Sequence, residues 1–483
     1  MGRASAGGPL GENGDPIETS RYSIDFFEGP VYSGTRVVGL GGAYVAVAED
    51  VDGDLHNPAA PAVRPFYSTD NFDYWLGFAV SFPGDIENMD FFNSGSATAV
   101  SGTQDQFVFA TPALNLQWGT FGIGATFSLQ NYAIEDAAIT SEGEDATLGI
   151  AVTTTHIQAA NAFIDGQLIV GVGVRNLSQT VQARTPNYSR RIFGTDGTGG
   201  ELGVLYRPND QPFRVGFAFR SGVQTQPEFS KDLLPDENGD VTIPRGDAFL
   251  YLPEQVSSPW DVNLGVAVQL GRKFNPVWRS SEQKAERAAV HYRMRELDRQ
   301  EERRRRLAAA KGEGERALIG AELDAAQEDD DELLNRAIEN AAQLTRVQNA
   351  AMAPHYLLLS TALVVTGTAE EAVGVDAFLS QEVNRSGEEV VYSPRIGAES
   401  EVWPRLLKLR AGTYLEPTRF ETSSPRWHAT LGFDLRMIRW NVFGAWPDDY
   451  LWRLSASADV SERYFVWGLS IGGWYPRLAA SPF

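Results

Sequence analysis

The stretch Phe121-Gly-Ile-Gly-Ala-Thr-Phe-Ser-Leu-Gln130 sorts its residues onto two unlike faces. Phe121, Ile123, Ala125, Phe127 and Leu129 fall on one, and Gly122, Gly124, Thr126, Ser128 and Gln130 on the other. Side chains of an extended backbone point alternately to opposite sides, so a period of two marks a strand lying between two different environments. The pattern returns at 213–220, 262–271 and 465–472, with Phe, Val, Leu, Ile and Trp facing mainly small or polar residues. A soluble sandwich alternates too, but it turns Lys, Glu and Thr to water, whereas glycine and small residues suit the inside of a barrel of limited width.

The rest of the composition agrees with a barrel. The chain has 483 residues, 43% hydrophobic and 11% aromatic, which is ample for a core and too apolar for a disordered protein. Mean hydropathy is nonetheless -0.25, and no apolar run reaches the roughly 18 residues of a transmembrane helix. A membrane barrel hides its lipid-facing residues at every second position and so keeps the average low. A formal charge of -22 argues against nucleic acid as a partner. With Cys 0, disulfides, thiolate nucleophiles and Cys-ligated zinc are excluded. His56, His156, His291, His355 and His428 are scattered without ligand spacing, and there is no G-x-S-x-G motif, so no enzyme is expected. Residues 1–20 carry no apolar signal-peptide core, so for an exported protein the expectation is a processed chain behind an added Met or a true start that lies upstream.

Fourteen segments carry the alternation, near 66–82, 105–117, 120–132, 147–163, 166–184, 199–208, 212–223, 258–271, 353–367, 393–402, 405–416, 426–436, 439–459 and 463–475. Links after the second, fourth, sixth, tenth and twelfth strands are short, and those after odd ones, such as 133–146, 185–198 and 224–257, are mostly long and polar, the short link at Ser461–Glu462 departing from the rule. Short turns at one end and long loops at the other is the outer-membrane arrangement, with the short turns periplasmic. The pattern predicts an antiparallel outer-membrane β-barrel of about 14 strands, in contact with outer-membrane lipid, with 12 and 16 strands as alternatives and 372–383 as a candidate extra strand. Its parts are a disordered segment 1–20, a hatch or plug 21–65, a first barrel part 66–272, a helical periplasmic insert 273–352 and a second barrel part 353–483. The insert is helical by composition and divided at Gly312 and Gly314. Its basic run Arg303, Arg304, Arg305 and Arg306, with Leu333, Leu334 and Ile338, is a candidate docking surface for another protein, against the plainer reading of a solvated helix face.

Ahead of the first strand stand Gly34-Thr-Arg36-Val-Val-Gly39-Leu-Gly41-Gly42-Ala43, then Ala46 and Asp50, then Asn57-Pro58-Ala59. This composite resembles the N-terminal region of the long-chain fatty-acid transporter (FadL-like) superfamily, which includes the PorV-like barrels of secretion machines. Asp52, Gly53, Asp54 and His56 depart from the family's usual residues. The resemblance implies a hatch inside the lumen and two roles: a PorV-like subunit that binds another protein, favoured by the helical insert, or a FadL-like channel for small hydrophobic molecules bound in the lumen. Glycines at 39, 41 and 42 suit close backbone approach in a narrow lumen.

Asp50, Asp52 and Asp54, and likewise Asp236, Asn238 and Asp240, have the spacing that converges oxygens on a hard cation. Ca2+ is therefore the one candidate cofactor, although neither cluster completes an EF-hand and solvated turns are the plainer reading. Phe483, as a terminal aromatic, is a candidate barrel-insertion signal, with Pro476 and Pro482 interrupting the strand before it. Trp118, Trp403 and Trp474 stand near strand ends, where an interfacial aromatic belt belongs.

Overall fold

In a computed structural model the alternating segments form one closed antiparallel sheet. The structure describes residues 10–27, 29–65, 68, 71–84, 88–95, 108–141, 144–184, 189–245, 248–279, 281–350, 355–421, 423–439 and 451–473. The barrel strands are β1 (Phe72–Pro83), β2 (Val108–Trp118), β3 (Phe121–Ser141), β4 (Glu144–Phe163), β5 (Leu168–Arg184), β6 (Ser189–Tyr206) and β7 (Phe213–Arg220). They continue with β8 (Asp261–Gly271), β9 (Tyr356–Thr366), β10 (Val391–Trp403), β11 (Leu407–Glu416), β12 (Arg426–Arg439), β13 (Leu451–Ser461) and β14 (Tyr464–Gly473). Each pairs with its chain neighbours, and β1 pairs with β14 from Gly77↔Gly472 to Pro83↔Val466, so the ring has no free edge. Closure pairs the strand backbone within the sheet, which is what a hydrocarbon environment demands.

The alternation decides which way each residue points. Phe78, Phe127, Ile157, Val172, Leu264 and Leu431 are exposed on the outer surface, while Ala79, Thr126, Gln158, Asn263 and Thr430 are buried on the inner one. Phe72, Trp118, Phe163, Tyr206 and Trp403 stand exposed at the short-turn end, as an interfacial belt requires. None of the described helices is long and apolar enough to cross a membrane. A closed, even-numbered antiparallel barrel with an apolar outer band is the architecture of the bacterial outer membrane, and the expected localisation follows from it.

Two expected loops turn out to be strand. Residues 133–146 and 185–198 largely extend the β3–β4 and β5–β6 hairpins, with bulges between Ile134 and Ile139 and between Val181 and Gln182. Polar composition suggested loops there. The arms persist because their inner residues Ile150, Val152, Val181, Ile192 and Phe193 join an apolar core above the barrel mouth. That core belongs to a cap built from the long links and the N-terminal segment. Ser23–Asp25 lies parallel between Gln255–Ser258 and Ala372–Val373. The candidate strand 372–383 is instead this two-residue strand followed by a short helix, Val375–Ser380. Residues 10–20, expected to be disordered, also pack into the cap: Leu10 and Ile17 are buried, and the Gly14 and Ile17 amides donate to the Val383 and Gln381 carbonyls. Apolar burial at these two positions outweighs a composition rich in Gly and charge.

At the opposite end, the link after β8 forms two helices, α1 (Ser281–Ala309) and α2 (Glu313–Ala350), which pack as a hairpin. At 1.5 Å per residue they reach roughly 45 and 55 Å.

Candidate functional site: the lumen plug and its cavity

Residues 34–64 thread the lumen in short turns with little regular structure. An irregular backbone buried there must find partners for its carbonyls. The wall supplies them: Gln117 donates to Pro61 O (2.6 Å), Gln158 to Asp54 O (2.8 Å), Arg214 to Val47 O (2.8 Å), Arg220 to Leu55 O (2.8 Å) and Ser360 to Ala43 O (2.6 Å). Wall glycines make the space. A Cβ at Gly171, Gly203, Gly216, Gly397 or Gly412 would strike plug backbone at residues 40–41, 45–46 or 58–59. The glycine-rich inner faces are thus complementary to the plug rather than merely small.

The motif residues have distinct places. Gly41 has φ +59, and an added Cβ would lie 2.8 Å from the Thr413 amide nitrogen in β11. Gly42 has φ +72 and meets side chains instead, those of Arg395 and Val31. Gly39 lies against Arg410 and Gly432, and Gly34 against Asp52. Asn57 accepts from the Ala59 amide (3.0 Å), bridging Pro58, and donates to Val45 O (2.8 Å), so it ties two turns of the plug together.

Arg36 begins a ladder of buried charge. It donates through Nε (2.9 Å) and Nη2 (2.8 Å) to Glu399 of β10, which also accepts from Arg410 of β11 (2.5 Å) and Tyr356 of β9 (2.6 Å). Arg410 donates onward to Asp434 of β12 (Nη1, 2.7 Å), and Arg453 of β13 lies 3.5 Å from both Asp434 and plug residue Asp52. On the other side Glu49 joins Arg36 (3.1 Å) to Arg214 of β7 (3.0 Å). Plug and wall are locked by pairs whose partners would be stranded in a low-dielectric interior if separated. The sequence marks Arg36 only as a motif residue, and none of these pairings is legible in it. The available signal was charge, such as Arg214, on the small-residue face of an apolar strand.

The expected cation sites do not converge. Asp50 faces Arg36 (3.6 Å), Asp52 faces Arg453, and Asp54 accepts from Asn115 (3.1 Å) and Thr126 (3.4 Å). Asp236 accepts from the amides of Asn238 (2.8 Å) and Asp240 (2.9 Å), closing a turn, while Asp240 accepts from Thr19 and Ser20 and pins the N-terminal segment. Among the described residues no group of three or more His, Asp or Glu is arranged to hold a metal.

In the helical hairpin the basic run is partly to fully exposed and largely paired within the hairpin itself. Arg303 pairs with Asp324 (2.7 Å), Arg305 with Glu301 (2.5 Å) and Arg306 with Glu322 (2.9 Å), while Arg304 is exposed. Leu333 is exposed, and Leu334 lines a groove between the helices. Ile338 lies in α2 with its side chain outside the described residues, and Phe483 and Trp474 lie outside them altogether.

Between cap and plug is a cavity of about 170 Å³. Leu55 and His56 of the plug border it below, and Phe26, Phe27 and Tyr32 above. Phe109, Val152 and Leu177 give the wall an apolar side, and Arg175, Arg220, Arg395 and Asn263 a polar one.

No protein-family model matches the chain, and no curated protein matches it. Among solved structures it is similar to a Pseudomonas aeruginosa FadL homologue, with TM-score 0.45 and 11% identity over 92% of this chain and 98% of that one. It is similar also to the CymD monoaromatic hydrocarbon channel (0.45, 10%, 91% and 96%) and to the P. putida toluene transporter TodX (0.45, 11%, 91% and 96%). At such values the fold rests on the strand ladder itself.

Proposed function

We propose that the protein is an outer-membrane channel for small hydrophobic molecules, gated by the plug. The carrying observation is the cavity between cap and plug, bordered above by Phe26, Phe27 and Tyr32 and walled on its apolar side by Phe109, Val152 and Leu177. At about 170 Å³ it lies below the roughly 300–1,000 Å³ of sites for drug-sized ligands, which favours a compact guest. The resemblance of residues 34–59 to the FadL-like plug region supports the same reading, and the short turns at the hairpin end support a periplasmic orientation of that end. The test is reconstitution in liposomes with a small apolar fluorescent probe. Saturable probe binding, lost in Leu177→Trp where the larger ring fills the cavity, is the expected result; equal binding by wild type and variant would overturn the assignment.

A second reading, binding of another protein in the PorV-like manner, is favoured by the hairpin. Val290, Met294 and Leu297 recur on one side of α1 and are each more than half exposed. Deletion of Ser280 to Asn349 with a short flexible linker keeps β8 and β9 as neighbours. Loss of a copurifying periplasmic protein with probe binding retained would favour this reading; loss of no protein would remove it.

A further inference from the structure

Along β4 the inward-facing residues climb from the plug toward the cap. Gln158 donates to the Asp54 carbonyl (2.8 Å), and His156, Thr154 and Val152 follow above it, all three lining the cavity between cap and plug. In register on β5, Arg175 stands opposite His156 and Leu177 opposite Thr154, and Phe109 of β2 completes the same side. This side of the cavity therefore has a polar foot, resting on the plug, and an apolar upper wall.

His156 is the group at the foot that passage of a purely apolar molecule leaves unused. Its ring is 5% exposed, and Nδ1 lies 2.9 Å from Glu201 Oε1 on β6. Gln158 donates to the other Glu201 oxygen (3.0 Å), and Arg220 of β7 stands 3.9 Å from Oε1. A carboxylate only accepts, so Nδ1 carries the hydrogen, and the neutral ring then presents Nε2 as a bare acceptor. Nε2 has no protein partner among the described residues and remains open to the cavity that the ring lines. A hydrocarbon settling there would strip water from Nε2 and return nothing. A carboxylate would set a second negative charge near Glu201 and find no hydrogen on Nε2 to accept. A hydroxyl supplies the missing donor and brings no charge.

We propose that the cavity selects a compact hydroxylated molecule, a phenol or an alcohol of similar size, which donates its O–H to Nε2 of His156 and lays its apolar body against Leu177, Val152 and Phe109. The volume of about 170 Å³ suits a single ring, since a dry cavity of roughly 150 Å³ accepts benzene. His156 is thereby a specificity-determining residue, and Glu201 positions it by fixing which nitrogen bears the hydrogen. The assignment rests on this cavity being where the channel binds its cargo, and it names the chemistry of that cargo.

The experiment titrates the full chain in detergent at pH 8 by calorimetry, with phenol, toluene and benzoate in separate arms. Saturable phenol binding is expected, with benzoate weaker. In His156→Phe the affinity for phenol should fall at least about tenfold while that for toluene stays within about twofold, because only phenol loses a hydrogen bond. Loss of a Glu201 partner could prevent that variant from folding, so a second measurement uses the wild-type chain labelled with 15N-histidine. Phenol should move the resonance of one unprotonated Nε2 whose Nδ1 carries hydrogen, the signature of the tautomer that Glu201 imposes, and toluene should leave it in place. An unmoved resonance, phenol affinity unchanged by His156→Phe, or benzoate taking phenol's place as the His156-dependent ligand would overturn the assignment and leave the channel itself standing. Failure of phenol and toluene alike to bind would overturn both.

Discussion

The plug and the helical hairpin are both rich in arginine and carboxylate, yet they use them in opposite ways. In the plug, Arg36 reaches across the lumen to Glu399, and the pair is buried and extended by Arg410 and Asp434. In the hairpin, Arg303, Arg305 and Arg306 meet Asp324, Glu301 and Glu322 on surfaces open to water. Solvent screening makes the second kind nearly dispensable, while desolvation makes the first kind intolerant of losing one partner. Residue type alone therefore says little; burial decides whether a charge fastens two elements or decorates one.

The largest expected effect follows from Glu399, which accepts from Arg36, Arg410 and Tyr356 at once. Glu399→Ala should cost about 3–5 kcal/mol by leaving buried guanidiniums unpaired. The gel-shift midpoint should fall and the plug should become accessible to protease, with the fourteen-strand ladder retained. A variant as stable as wild type would mean that the ladder is not what holds the plug.

Glycine offers a second contrast. Gly41→Val forces a β-branched residue to φ +59 against the Thr413 backbone, a strain of about 1–3 kcal/mol before the clash is counted, and should raise small-solute leakage through reconstituted protein. Gly320, within α2, has nothing within 4 Å of an added Cβ. Gly320→Ala should raise the helical melting transition by about 1 kcal/mol, measured by circular dichroism on the full chain.

Arg306→Gln should leave the gel shift and leakage untouched. Its partner sets the smallest expected effect: the Arg306 guanidinium holds the Glu322 carboxyl below its usual value. That lowered value means the folded hairpin binds the proton less readily than the unfolded chain does. The contribution is therefore complete above the ordinary Glu value of about 4.3 and fades as pH falls below it. Helical content should decline slightly in that acid range, and Arg306→Gln should flatten the decline.

The barrel was legible because a period of two survives wherever lipid lies on one side and lumen on the other, as at 121–130 and 262–271. The hairpin was legible through its composition and its glycine break at 312–314. The cap was not, because Ser23–Asp25 takes its neighbours from 255–257 and 372–373, and strands two or three residues long have no period to read. The charge ladder was hidden for a related reason: Arg36 and Glu399 are 363 positions apart, and only closure of the ring brings them together. The arms of β3–β6 read as loops because their composition is polar, whereas the apolar residues that hold them pack into a cap that no local pattern announces.

The path of the N-terminal segment has a mechanical consequence. Ser23–Asp25 is stitched into the cap at one mouth of the ring, the chain then runs down the lumen, and at the other mouth Arg64 holds Asp73 at the start of β1. The plug is thus a rope passed through a ring and tied at both rims, not a stopper on a tether. It cannot be withdrawn as one body toward either side while both knots hold, so a passage must open beside it, by slackening between the knots. Assembly inherits the same constraint. The rope has to lie inside the curling sheet before β14 meets β1, and its upper knot waits for residues 255–257 and 372–373, which follow more than two hundred positions later in the chain.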